Sequence, residues 1–265
     1  MLKIEGLHVM LGDKEILKGV NMEIGAGEVH ILFGPNGSGK TSLLMTIMGY
    51  PQYRVTEGKI MFKGHDITHM PVDERARLGI GMSYQRPPTI HGLKTRDMVH
   101  ICDRDKIKKV EDLAAAVNFT DFLNRDINAG FSGGEIKRSE LLQLMAHDPD
   151  LMLFDEPESG VDLENISLIG NSIAALLRRN FQAHIEKTQK QTHHHLIKMG
   201  LIITHTGYIL NYVPADKGHV LYDGVMACRG NPQEIFQTIS HAGYQECIKC
   251  CNQRPTPVTE IQTSL

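Results

Sequence analysis

The chain has 265 residues, 41% of them hydrophobic and 22% charged, with a net charge of −3 at pH 7. That size and apolar content can bury a proper core and suit one catalytic domain with an inserted lobe, while the charge balance lacks the basic face that nucleic acid would require, so no nucleic-acid partner is expected. No apolar run approaches the roughly 20 residues of a membrane span, and the start Met1-Leu-Lys-Ile lacks the build of a signal peptide, so a cytoplasmic protein without direct membrane insertion is expected, its five cysteines reduced.

Strands are predicted for Leu2 to Val9, Ile16 to Ile24 and Lys59 to Phe62, an antiparallel-looking opening. Between them the apolar run Val29 to Phe33 leads into Gly34-Pro35-Asn36-Gly37-Ser38-Gly39-Lys40-Thr41, and a helical pattern opens at Lys40 and runs through Met48. Strand, loop and helix are the context in which G-x-x-x-x-G-K-[ST] binds phosphate. Backbone amides from Asn36 to Lys40 suit the α- and β-phosphates, Lys40 reaches the β/γ oxygens and the Thr41 hydroxyl holds Mg²⁺. Ser42 follows in the same turn and is counted with the ATP-binding residues.

From Arg86 to about His147 the pattern is helical, with helices predicted over Thr95 to Ile101, Lys106 to Val117 and Gly133 to Met145. Ser132 stands at the start of the third helix with Glu135 three residues on, a capping box. Gly133 and Gly134 let an anion approach that helix N-terminus closely, which makes it a second phosphate-reading element. Beyond it come the apolar run Leu151 to Phe154 and the pair Asp155-Glu156. An amphipathic helix from Leu163 to Arg179, a buried strand from Leu201 to Thr204, and a hairpin of His219 to Tyr222 with Val225 to Cys228 follow, the hairpin turning at Asp223-Gly224. A last helix runs from Pro232 to about Cys250, and residues 252–265, polar with two prolines, are expected to be a disordered tail.

In this order the motifs resemble the ATP-binding-cassette family over nearly the whole chain: a Walker A loop (Gly34 to Thr41), a Q-loop (Gln85), a signature (Ser132, Gly133, Gly134), Walker B (Asp155, Glu156), a D-loop (Ser159 to Asp162) and an H-loop (His205). The resemblance implies an α/β fold, a P-loop NTPase core with an antiparallel β subdomain and an inserted α-helical subdomain. The core would occupy 1–85 and 148–251, the helical subdomain 86–147. It also implies an ATP hydrolase with ATP and Mg²⁺ as cofactors. Glu156 would be the general base, Asp155 and Thr41 the Mg²⁺ ligands with Gln85 at the metal shell, His205 a γ-phosphate contact, and Lys40 the phosphate-binding cation. Ser132, Gly133, Gly134 and Asp162 would meet ATP across an ATP-dependent head-to-tail homodimer, one chain's signature capping the nucleotide of the other.

Two departures refine the resemblance. Transporter ATPases typically read Ser-Gly-Gly-Gln-Gln at the signature and Glu-Pro-Thr-Ser after Walker B, whereas this chain reads Ser132-Gly-Gly-Glu-Ile-Lys-Arg138 and Glu156-Pro-Glu-Ser159. Both look like the ATPases of the SUF iron–sulfur cluster assembly system, which implies a SufB/SufD-like scaffold as partner; the ATP-binding subunit of a membrane transporter is the alternative. Leu11 stands where many cassettes stack adenine on an aromatic ring, implying an apolar base contact, and the stretch between Gln85 and Ser132 is short. Cys247, Cys250 and Cys251 have metal-like spacing but form an incomplete site and are expected as reduced packing or surface thiols, with metal or cluster ligation the alternative; Cys102 and Cys228 are expected as small core residues, and His193 to His195 as a solvated helix end or loop.

Overall fold

The computed structural model describes residues 1–103, 108–178 and 198–253. The chain opens with β1 (Leu2–Leu11) and β2 (Lys14–Ile24), strands with one face in the core: Leu2, Ile4, Leu7 and Val9 on the first and Leu17, Val20, Met22 and Ile24 on the second. With β4 (Tyr53–Phe62) and β5 (His65–Asp66) they form an antiparallel sheet in the order β2-β1-β4-β5.

The larger sheet is mostly parallel. It runs β12 (Val225–Gly230), β11 (Lys217–Tyr222), β3 (Val29–Phe33), β10 (Met199–Ile203), β9 (Leu151–Asp155) and β6 (Ile80–Ser83), with β12 the antiparallel edge. Its interior strands are mostly apolar because both faces are covered, with His30 on β3 and His219 on β11 as buried polar exceptions. On β3, Val29, Ile31 and Phe33 enter the core shared with the helical segment, while Leu32 enters the core shared with the N-terminal sheet. Truncating the buried Phe33 to Ala would cost about 3–5 kcal/mol on that account.

Between β3 and β4 lies α1 (Lys40–Met48), stopped by Gly49 at φ 88°. Its last carbonyls are gripped by the buried Arg75 of α2 (Val72–Leu78), whose guanidinium donates to Thr46 O at 2.8 Å and Ile47 O at 3.0 Å, and also to Met70 O and Thr68 O. The inserted segment carries α3 (Thr95–Cys102), α4 (Val110–Ala116) and α5 (Gly133–His147), and a two-stranded ribbon of β7 (Ile90–Lys94) with β8 (Asp126–Ile127). Phe119, Phe122 and Phe131 pack together there, with the Arg125 guanidinium 4.8 Å from the Phe131 ring centroid. After β9 come α6 (Leu163–Leu176) and, past β12, α7 (Pro232–Gln253), whose helical path breaks at Gly243 (φ 82°, ψ 173°).

Several boundaries move. Both opening strands extend to the Gly12-Asp13 turn, the strand predicted from Lys59 begins six residues earlier at Tyr53, and the strand predicted to end at Thr204 spans Met199–Ile203. The helix predicted from Lys106 begins at Val110, and its opening residues fall partly outside the described ones, as do Arg179 and His193 to His195. Asn252, assigned to the tail, still belongs to α7. The expectation of five reduced thiols is corrected: Cys228 of β12 and Cys251 of α7 form a disulfide, their Cα atoms 5.6 Å apart, because α7 packs back across the sheet edge. Among the described residues no helix is long and apolar enough to cross a membrane.

Candidate nucleotide site

The loop from Gly34 to Gly39 leaves the end of β3 and turns into α1 through Gly39, at φ 104°. Gly34 lies in a slot that admits no side chain, since a Cβ there would sit 2.3 Å from the Leu221 carbonyl oxygen. Lys40 folds back over the loop, its Nζ donating to Gly34 O at 2.8 Å and Pro35 O at 3.0 Å. Burial lowers its pKa, opposed by the charges of Glu156 and Asp155. Ser38 Oγ is buried without a hydrogen-bond partner, and Ser38 O accepts from Gly224 N–H at 3.1 Å, while Lys18 N–H donates to Gly224 O at 2.9 Å. The β11–β12 turn thereby touches both the loop and β2. A cavity of about 440 Å³ opens beside the loop, lined by Asn36, Gly37, Gly39, Lys40, Thr41 and Ser42 with Lys14, Ile16, Gln85 and Glu156.

Thr41 and Asp155 meet at the loop's inner end, where Thr41 Oγ1 donates to Asp155 Oδ2 at 2.9 Å. Burial raises the Asp155 pKa against the Thr41 hydrogen bond, and its second oxygen, Oδ1, is buried and unpartnered. A hydroxyl beside a desolvated carboxylate with an unused lone-pair oxygen fits a hard divalent cation. The same neighbourhood supplies backbone amides and Lys40 for an anion.

Glu156 follows at φ 50°, a left-handed conformation that costs a non-glycine residue about 1–3 kcal/mol. Both its carboxylate oxygens are engaged: Gln85 Nε2 donates to Oε2 at 2.6 Å and His205 Nε2 lies 2.6 Å from Oε1. Two predicted catalytic residues, Gln85 and His205, therefore converge on the carboxylate of a third, Glu156.

Ser132 caps α5 with the predicted reciprocal box, Oγ accepting from Glu135 N–H and Glu135 Oε2 accepting from Ser132 N–H at 2.9 Å. Gly133 presses on the D-loop: a Cβ on it would lie 2.1 Å from Gly160 O. Asp162 caps α6, accepting from Asn165 N–H at 2.9 Å, a bond that lowers its pKa. Ser132, Gly133, Gly134 and Asp162 lie together but none lines the cavity.

Other residues at the site escape a reading of motifs. Glu140 of α5 grips the Q-loop stem, accepting from Tyr84 N–H at 2.7 Å and Ser83 Oγ at 2.9 Å, while Lys137, 3.7 Å from Glu140, donates to Gln85 O at 3.2 Å and to Tyr84 O. Both side chains are buried. The usable signal was a pair of opposite charges at i, i+3 on a helix whose neighbours Leu141 and Leu144 are also buried. Glu158 is buried, accepts from Thr204 and from Thr206 at 3.1 Å, and has its pKa raised by that burial, linking the residue after Pro157 to the end of β10. Ile16, not Leu11, is the apolar side chain of the cavity wall; Leu11 ends β1 and stays exposed. The three C-terminal cysteines do not converge, with Cys247 buried, Cys250 exposed and Cys251 in the disulfide. Among the described residues no three or more His, Cys, Asp or Glu side chains are grouped to hold a metal.

Fold and site define a P-loop ATPase with an inserted helical lobe. Residues 17–159 match the family described as ABC transporter. Vegetative protein 296 of Bacillus subtilis is 36% identical over 92% of this chain and 91% of its own length. A probable ATP-dependent transporter of Synechocystis is 35% identical over 92% of this chain and 94% of its own length. Among solved structures, the dimeric form of a bacterial ABC transporter cassette superposes with a TM-score of 0.71 at 21% identity, over 88% of this chain and 99% of that one, a likeness of fold. The chain belongs to the ABC transporter family as its ATP-binding, ATP-hydrolysing cassette.

Proposed function

We propose that this cassette works as a head-to-tail pair on a soluble scaffold of the SufB/SufD kind during iron–sulfur cluster assembly, in the manner of a SufC ATPase. The observation that carries the reading is the buried Lys137, which lies in the Ser132-to-Arg138 departure from the transporter signature and, with Glu140 just beyond that stretch, fastens α5 to the Q-loop. The second departure, Glu158, is likewise built into the site through Thr204 and Thr206. A membrane transporter's ATP-binding subunit is the second reading, favoured by relatives known as transporters, such as the Synechocystis protein.

In the proposed chemistry the loop from Gly34 to Thr41 and Ser42 holds the phosphates of ATP, with Lys40 released from Gly34 O and Pro35 O to reach them. Thr41, Asp155 and Gln85 hold Mg²⁺, which when bound neutralises charge on the phosphate oxygens. Glu156 is the general base toward water, a role it takes up once Gln85 and His205 no longer occupy both its oxygens, and His205 then faces the γ-phosphate. Ser132, Gly133, Gly134 and Asp162, outside the cavity of their own chain, serve the nucleotide of the partner copy. Affinity isolation of the tagged chain from native extract, made without detergent, tests the partner. Co-isolation of a soluble SufB-like protein, lost on Arg86→Glu, is expected. Recovery of a polytopic permease from detergent extract, with no scaffold protein, overturns the assembly reading.

A further inference from the structure

Pairing with β3 holds β10 up to Ile203, which lies opposite Leu32. Beyond that residue the chain turns away from the sheet, and the turn carries His205. The hydroxyls on either side of His205 reach one carboxylate: Thr204 Oγ1 donates to Glu158 Oε1, and Thr206 Oγ1 does so at 3.1 Å. Thr204 Oγ1 also accepts from the Gly207 N–H at 2.9 Å, which closes the turn. Gly207 has φ 68° and lies against the ring of Phe236, so closely that a Cβ on it would be 2.5 Å from Cε2 and Cζ. Both facts call for glycine. The same ring stacks on Phe33, with centroids 6.1 Å apart and planes 21° apart, and Phe33 is the last residue of β3 before Gly34. One side chain thus spans from the strand end that launches the phosphate loop to the turn that carries His205.

The helix presents that ring from a fixed start. Asn231 Oδ1 accepts from Gln233 N–H at 2.9 Å and Glu234 N–H at 3.1 Å, capping the first turn of α7. Pro232 and Ile235 press on Gly218 of β11, where a Cβ would lie 2.8 Å from Pro232 Cα and 3.1 Å from Ile235 Cδ1.

We infer that Phe236 is a positioning residue for His205, its ring a spacer that sets the His205 turn against the end of β3. It touches no reacting group and acts only on where the imidazole stands, with Nε2 2.6 Å from Glu156 Oε1 in this state. Glu158 and the two threonines keep the turn in shape, but the face of Gly207 rests on the ring alone among the side chains within reach of it. Without the ring the turn settles toward the vacated space, and a displacement of about 1 Å in a group that acts on the reacting atoms can cost about 10²-fold in rate.

The inference rests on His205 acting at the γ-phosphate, and the test separates the two. Steady-state ATPase kinetics, titration of a fluorescent ATP analogue and thermal melts are run on the full chain as wild type, Phe236→Ala, Phe236→Leu, Gly207→Ala, His205→Ala and His205→Ala/Phe236→Leu. Phe236→Leu retains apolar bulk, so it keeps the test open should Phe236→Ala fail to fold. The kcat of Phe236→Leu is expected to fall about tenfold and that of Phe236→Ala about 10²-fold, with Kd for the analogue within about twofold because the loop keeps its strand, its helix and Lys40. Gly207→Ala pushes on the same contact from the other side and should lower kcat likewise. In the His205→Ala background, Phe236→Leu should change kcat by less than about twofold, since both act through one imidazole. Wild-type kcat in Phe236→Leu, equal falls in the two backgrounds, or a rise in Kd at constant kcat overturns the positioning role. A readout that needs no turnover is the NMR signal of the His205 ring, assigned by its loss in His205→Ala. It should shift in Phe236→Leu without nucleotide, and an unmoved signal overturns the role as well. Wild-type kcat in His205→Ala, with that signal still moving, would instead count against the part given to His205 itself.

Discussion

His219 offers a quantitative test of how this core is assembled. It lies on β11, 2% exposed, its Nε2 3.0 Å from Nδ1 of the equally buried His30 on β3. Burial holds the His219 pKa down to about 3, helped by His30, Arg229 and Lys217 and opposed only by Glu28. Burial also lowers the pKa of His30, against the pull of Glu28. Both rings are therefore neutral in the folded chain, whereas an unfolded histidine takes up a proton near pH 6.5. The unfolded state binds more protons as the pH falls, so stability is complete above about 6.5 and declines toward the folded pKa. Between pH 7 and 5, a shift from 6.5 to about 3 at His219 costs about 2 kcal/mol. For a chain of this size that lowers Tm by about 4–8 °C. Glu28, held at about 2 by hydrogen bonds from Gly25 and Lys217 despite burial, adds only a few tenths of a kcal/mol (~0.2) in that window, because its loss falls below pH 4.5. Urea unfolding of wild type and His219→Gln at both pH values measures the difference. The variant is expected to be less stable at pH 7 and flatter by about 2 kcal/mol between the two. Parallel pH dependences would refute the reasoning, because they would mean His219 is solvated or protonated in the fold.

Glu156→Gln keeps shape but cannot accept a proton, so ATP turnover is expected to fall about 10²- to 10⁴-fold while ATP titration stays near wild type; turnover close to wild type would remove Glu156 as base. Lys137→Ala strands the Glu140 carboxylate in the interior and should cost about 3–5 kcal/mol, read as a lower urea midpoint, with Lys137→Met/Glu140→Leu recovering most of it. Gly133→Ala forces a Cβ to 2.1 Å from the Gly160 carbonyl, so a loss of about 1–3 kcal/mol is expected in thermal melts, and an unchanged melt would mean the two loops separate freely.

The Gly34-to-Thr41 loop was legible because its strand, turn and helix are adjacent in sequence and each follows from local pattern. The cap at Ser132 was legible for the same reason. What escaped depends on distant pairings. The strand Ile80–Ser83 is four residues with a glycine among them, and only its place beside β9 makes it a strand. The Val72–Leu78 helix carries charges on most turns and is specified by Arg75 reaching the end of α1. The Cys228–Cys251 bond spans 23 residues and joins a sheet edge to a helix whose return to that edge has no local signal. Glu156, Gln85 and His205 were each picked out singly by their place in the motif order, but that they clamp one another is a fact of three dimensions.

The turn at Gly224 touches Ser38 O with its N–H and Lys18 N–H with its carbonyl, and a Cβ there would meet Ile16 O at 2.5 Å. Ile16 and Lys14 come from the antiparallel sheet and the phosphate loop from the parallel one, so the cavity lies on the seam between two layers that also share a buried core. Whatever fills it adds contacts to both layers at once. At a nucleotide concentration of 100 times Kd the folded state gains about 2.7 kcal/mol, and that gain belongs to the N-terminal hairpin as much as to the loop. Protease resistance of residues 2–24 would then serve as a gauge of occupancy, read on a part of the chain that carries none of the catalytic groups.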